Sequence, residues 1–225
     1  MRKIQNVLKN AHVYRHLGLP LTFALLLLFI SAPAAFASTA HHRSPKPHLS
    51  LVGPKKHYLA LGDSLAFGFQ SNLNFNHGYA NDFFSNLKSH GVSDVANMAC
   101  PGETSVTFLN GKCSYPYLRQ YPYVGSQLNA ALIYLKFYAG QLSPLTLDIG
   151  ANDVDGDINT KTCAVNEQQF QTDLALLDSN LTKVILPQLH AALVVNGQLT
   201  GDLLMMNYYD PYQNICPNSV AFSQI

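Results

Sequence analysis

Four short apolar runs, at residues 57–61, 94–99, 145–149 and 203–209, alternate with longer stretches of helical periodicity. This alternation constrains the fold more than any other feature of the chain. Each run has strand length and leads into Gly, Asn or Asp, the residues that favour turns. Between the runs, residues 79–90 place Tyr79, Phe83, Phe84 and Leu87 on one helical face before the stop signal Gly91. Residues 124–138 do the same with Leu128, Leu132, Leu135 and Tyr138, and 167–195 reads as a long helical region that Pro187 kinks or divides. Crossovers of this length join parallel strands, so the expected fold class is α/β, a three-layer α/β/α sandwich with a mainly parallel sheet. Ligands of such sheets bind beyond the carboxyl ends of the strands, so chemistry is expected in the residues just after each run.

The N-terminal part is built differently. Arg2, Lys3, Lys9 and Arg15 precede an apolar stretch over 17–30, and Ala35-Phe36-Ala37 fits a small-residue cleavage pattern. Residues 1–37 therefore read as a secretory signal peptide. An uncleaved membrane anchor is the alternative, with Pro20 and Pro33 against a clean spanning helix. Residues 38–57 read as a linker, and its His41, His42, His48 and His57 as a solvated tail, since their irregular spacing is poor for a metal. The folded domain is expected over 58–225, where six Lys and Arg face thirteen Asp and Glu, a formal charge of −7 masked by the +1 of the whole chain. Neither balance makes a case for a nucleic-acid partner. With 12% charged and 48% hydrophobic residues in 225, the composition excludes a disordered chain and a coiled coil.

Four cysteines, Cys100, Cys113, Cys163 and Cys216, contain no C-x-x-C pair, which disfavours zinc and thioredoxin-like readings. An even count in an exported chain favours two disulfides. The preferred pairing is Cys100–Cys113 with Cys163–Cys216, because the first pair closes a short loop; other connectivities, and free buried thiols, stay open.

Three strand ends carry candidate chemistry. After the first run comes Gly62-Asp63-Ser64-Leu65, a serine in a tight turn, or else a helix cap. It is not the G-x-S-x-G elbow, because Ala66 stands at the last glycine position. After the second comes Cys100-Pro101-Gly102-Glu103-Thr104-Ser105, where a glycine N–H could face an oxyanion or simply make a turn. After the third comes Gly150-Ala151-Asn152-Asp153, whose Asn amide donates without titrating. Asp153, Asp155 and Asp157 imitate a calcium loop, but Ile158 and Ala164 replace its required Gly and Glu, so a solvated acidic turn is expected.

In this order the three segments resemble those of the GDSL, or SGNH, hydrolase family over about residues 58–210, most closely its secreted bacterial esterase/lipase branch. The resemblance implies a flavodoxin-like sandwich and a serine esterase. Ser64 is then the nucleophile, and Ser64 N–H, Gly102 N–H and the Asn152 side chain form the oxyanion hole, with Asp63 and Asp153 in support. It implies no cofactor and no metal. The expected partner is a small-molecule or lipid ester, with no stable membrane partner once the signal is removed, and the chain is expected to be a monomer. Lipid ester, acetylated sugar and thioester are not separated. Phe67, Phe69, Phe75, Tyr115, Tyr117 and Tyr121 are available either to line an acyl site or to fill core and surface.

The family supplies its base from a C-terminal Asp-x-x-His segment, and this sequence contains none. His77, His90 and His190 are poor substitutes by position. Two explanations stand: a domain whose last strand and helix are missing through truncation, or a degenerate relative. The alternative function is a secreted non-catalytic binding module on the same scaffold.

Overall fold

The computed structural model describes residues 50–207 together with Tyr212, Ile215 and Cys216. The expected signal peptide, most of the linker and the Tyr208–Tyr209 end of the fourth run lie outside the described residues. So do His41, His42 and His48.

The centre is a four-stranded, all-parallel sheet in the order β2-β1-β3-β8, formed by β1 (His57–Gly62), β2 (Asp94–Asn97), β3 (Leu142–Asp148) and β8 (Leu203–Met205). β1 and β3 are buried at every residue, which is why they read as continuous apolar runs in place of alternating ones. Alternate side chains of β1 feed two cores. Leu59 and Leu61 pack with α4 (Gln127–Phe137), α6 (Glu167–Asn180) and α7 (Leu186–Ala192), whereas Tyr58 and Ala60 pack with α2 (Tyr79–Leu87). Helices on both faces of a parallel sheet make the molecule a three-layer α/β sandwich, as expected.

Several boundaries differ from the sequence reading. β3 begins at Leu142, three residues before the expected start, and runs through Pro144. Proline has no ladder donor, and the β1–β3 register shifts at this point, between His57 and Leu59. Pro187 does not divide the long helix. A π-helical turn at Leu181–Ile185 joins α6 directly to α7 just before the proline, and a wider turn relieves the carbonyl that has lost its donor. The short helices α1 (Ser64–Phe67), α3 (Ser105–Asn110) and α5 (Ala151–Val154) sit at the carboxyl ends of β1, β2 and β3. Two antiparallel ribbons complete the described strands, β4 (Ile158–Asn159) with β5 (Ala164–Val165) and β6 (Val194–Val195) with β7 (Gln198–Leu199).

His57 corrects the reading of a solvated tail. It is buried as the first residue of β1, bonded to the Asp94 carboxylate at 3.3 Å and in tilted contact with the Tyr138 ring, 3.8 Å between centroids. The residues before it are tied to the sheet as well, Lys55 N–H to Ser143 O and the N–H groups of Val52 and Gly53 to the Asp202 carboxylate. Both expected disulfides are present, Cys100–Cys113 and Cys163–Cys216. Two disulfides are consistent with an extracellular protein. Among the described residues no helix is long and apolar enough to cross a membrane.

Candidate active site

The three strand-end segments follow three adjacent strands, with β1 in the middle. Gly62 is paired with Asp148 in the β1–β3 ladder, and Asp63 N–H donates to Asp148 O at 3.0 Å. The third segment follows β2 on the other side of β1, where Met98 N–H reaches Ala60 O at 2.9 Å and Cys100 N–H reaches Gly62 O at 3.0 Å. Gly62 therefore stands between the other two segments. Its φ is +133°, and a Cβ there would overlap the carbonyl oxygen of Asp148, so only glycine allows β3 this close immediately before Ser64.

Ser64 opens α1 and is half-buried. Asp63 is buried and caps this helix, its carboxylate accepting Leu65 N–H at 2.9 Å. Gly102 has φ +76°, and a Cβ there would press on Ser114 at 3.0 Å, so the tight loop closed by Cys100–Cys113 also requires its glycine. Asn152 donates from Nδ2 to the carbonyl of Glu103 at 3.0 Å. Asp153 accepts Ser105 N–H at 2.8 Å and Ser105 Oγ–H at 2.5 Å, and Asn180 donates to the same Oγ at 2.9 Å. Adjacent residues of the β3 loop thus strap it to the β2 loop. Burial pushes the Asp153 carboxyl above the ordinary carboxylate range, and the bonds from Ser105 pull it back.

A buried polar group beneath these loops is not visible in the sequence. Gln127, the first residue of α4, accepts Gly62 N–H at 2.6 Å and donates to Gly62 O at 3.0 Å and to Glu103 Oε2 at 2.8 Å. Glu103 is 1% exposed. Burial raises its pKa, against the bonds from Thr107 and Gln127 and the charge of Arg119. Asn97 closes the far side, donating to Ala66 O at 2.8 Å and accepting Ala99 N–H at 3.2 Å. Only burial marks these amides, because as isolated letters Gln and Asn carry no positional signal.

His77, His90 and His190 are exposed, and His57 is at the opposite end of β1 from Ser64. Of the aromatic set, Phe67 is core, tilted against Phe75 with ring centroids 5.0 Å apart, and Phe69 stacks on Phe75 at 5.5 Å. A Cβ on Gly102 would meet the Tyr115 ring at 3.5 Å, and Tyr117 is exposed. Tyr121 belongs to a different place, an apolar cleft of about 500 Å³ with Met98, Ile133, Phe137 and Tyr138 that contains none of Ser64, Gly102 and Asn152. The calcium-like stretch takes another form. Asp155 accepts the Tyr212 hydroxyl, and Ile158 pairs with Val165 in the β4–β5 ribbon. Cys100, Cys113 and Glu103 bring ligand atoms within 4.8 Å of one another, but the two sulfurs are joined in a disulfide, which leaves no thiolate for a metal.

No family model and no curated protein matches the chain. Among solved structures it is similar to the SGNH-hydrolase family esterase AlinE4, at 15% identity and a TM-score of 0.35, covering 76% of this chain and 68% of that one. It is also similar to a carbohydrate esterase described as having divergent catalytic and non-catalytic binding functions in its active site, at 16% identity and a TM-score of 0.34, covering 70% and 61% of the two chains.

Proposed function

We propose that this chain is a serine hydrolase acting on carboxylic esters. Ser64 Oγ attacks the ester carbonyl carbon, the alcohol leaves, and the acyl group remains on Ser64. Water then attacks the acyl-enzyme, releases the acid and restores the hydroxyl. The N–H groups of Ser64 and Gly102 and the side-chain amide of Asn152 hold the oxyanion in both steps. Asp63 supports Ser64 by capping its helix, and Asp153 supports the oxyanion loop through Ser105. The observation that carries this reading is the bond from Asn152 to Glu103 O, one residue past Gly102, made from the loop that follows the strand paired with that of Ser64.

Treatment with a fluorophosphonate, alongside hydrolysis of a short p-nitrophenyl ester, tests it. Wild type is expected to be labelled and to turn the ester over, and Ser64→Ala to do neither. Equal labelling of the two removes Ser64 as the nucleophile. The substrate class is a small-molecule or lipid ester. Residues 1–37 act as a secretory signal ahead of a monomeric domain, so the secreted chain is expected to start at Ser38 on N-terminal sequencing.

The position of His57, at the opposite end of β1 from Ser64, favours a second reading, a secreted binding module on the same scaffold. Ligand binding by wild type with no labelling selects the module over the enzyme.

A further inference from the structure

The Gln127 side chain is 0% exposed, and its amide uses its oxygen and both N–H donors within the protein. Toward Gly62 it behaves as a neighbouring strand would, taking the N–H and supplying a donor to the carbonyl of the same residue. This matters at Gly62 because the strand is leaving the ladder there to form the turn that carries Ser64. The remaining donor goes to the Glu103 carboxylate, on the residue that follows Gly102. One side chain thus spans the turn of the nucleophile and the loop of the oxyanion donor, from the start of a helix whose N-cap, Ser126, holds Asn129 N–H at 3.2 Å.

We infer that Gln127 is a positioning residue of the proposed hydrolase, setting the distance between Ser64 and the Gly102 loop while touching neither substrate nor reacting atoms. The inference rests on the esterase reading for its catalytic consequence. The side-chain type is specific. A leucine fills similar space but leaves Gly62 N–H and the Glu103 carboxylate without this partner. A glutamate still accepts Gly62 N–H, yet turns a carboxylate toward Gly62 O and Glu103. Exchanging the two groups, in Gln127→Glu/Glu103→Gln, restores an amide–carboxylate pair across the gap and keeps the acceptor for Gly62 N–H, while Gly62 O retains the Cys100 N–H.

The test combines steady-state kinetics on p-nitrophenyl acetate with amide hydrogen exchange read by mass spectrometry. Gln127→Leu and Gln127→Glu are each expected to lower kcat by at least about tenfold while KM moves less than about threefold, as a displaced but intact site does. Residues 62–68 and 100–107 are expected to exchange faster in both variants, with 142–148 unchanged. The exchanged pair is expected to recover kcat to within about threefold of Glu103→Gln alone, which a role in packing volume would not produce. Wild-type kcat in Gln127→Leu, or no recovery in the exchanged pair, overturns the inference. A wild-type chain that neither turns over the ester nor takes the fluorophosphonate overturns the esterase reading instead. The exchange experiment then still decides the tie: faster exchange in both segments supports it, and unchanged exchange overturns it.

Discussion

The side-chain amide of Asn152 donates to the backbone carbonyl of Glu103 at 3.0 Å. A carboxamide has two donors, so this bond fixes the plane of the group against the loop that carries Gly102 and leaves one N–H for a second acceptor. If that acceptor is the oxyanion, Asn152→Ala loses a donor used mainly in the transition state. The expected cost is about 10²–10³ in kcat, roughly 2.7–4 kcal/mol, with little change in KM. Kinetics on p-nitrophenyl butyrate check this, and an undiminished kcat removes Asn152 from the oxyanion hole.

Glu103 should make stability depend on pH in a defined direction. Burial raises its pKa above the ordinary range, opposed by bonds from Thr107 and Gln127 and by the charge of Arg119. The folded state therefore holds this proton more tightly than the unfolded state does. Its contribution is fully present below the unfolded pKa and is lost as pH rises through the raised folded value. Glu103→Gln keeps an acceptor for Gln127 and removes the titration. Urea unfolding is expected to find it more stable than wild type at neutral pH, with the advantage shrinking toward pH 4. A variant less stable than wild type at pH 7 would mean that the charged carboxylate is held favourably.

The parallel sheet was legible because β1 and β3 are covered on both faces, and burial of that kind leaves an unbroken apolar run. The three strand-end motifs were legible for a related reason: tight turns leave Gly, Asn and Asp in recognisable places. What stayed hidden depends on contacts distant in sequence. Pro144 masks the start of β3, since nothing local announces a tolerated register shift. α3 is only six residues long, although its capping box, Thr104 with Thr107, is written in the sequence. The β6–β7 ribbon had its own signal in Asn196-Gly197, both with positive φ, and the expectation of a helix running to Val195 covered it. Gln127 had none, because its partners are 65 and 24 residues away.

The close approach at Gly62 gives a stability prediction independent of catalysis. Gly62→Ala places a methyl group on the Asp148 carbonyl and strains a φ of +133°. The expected loss is at least about 2 kcal/mol, or failure to yield soluble protein. Gly156→Ala is the control, with open space around its Cβ, and should stay within about 0.5 kcal/mol of wild type. Urea midpoints measured side by side decide it, and equal midpoints would mean that β1 and β3 can separate at no cost.

The two disulfides should separate stability from activity. Cys163–Cys216 bridges a sequence separation of 53 and holds Cys216 in a small core with Val154, Ile158 and Phe170. Cys100–Cys113 spans 13 and encloses Gly102 and Glu103. Loop-closure entropy assigns about 4 kcal/mol to the longer bridge and about 3 kcal/mol to the shorter. Cys163→Ser/Cys216→Ser is therefore expected to unfold at the lower urea concentration yet keep a near-normal kcat on a short ester. Cys100→Ser/Cys113→Ser is expected to retain more stability and lose more kcat, because the freed loop carries Gly102, the proposed oxyanion donor. If the second pair of substitutions leaves kcat unchanged while the first abolishes it, the Gly102 loop holds no oxyanion donor that needs the bridge, and the catalytic surface lies nearer Cys216 than Gly102.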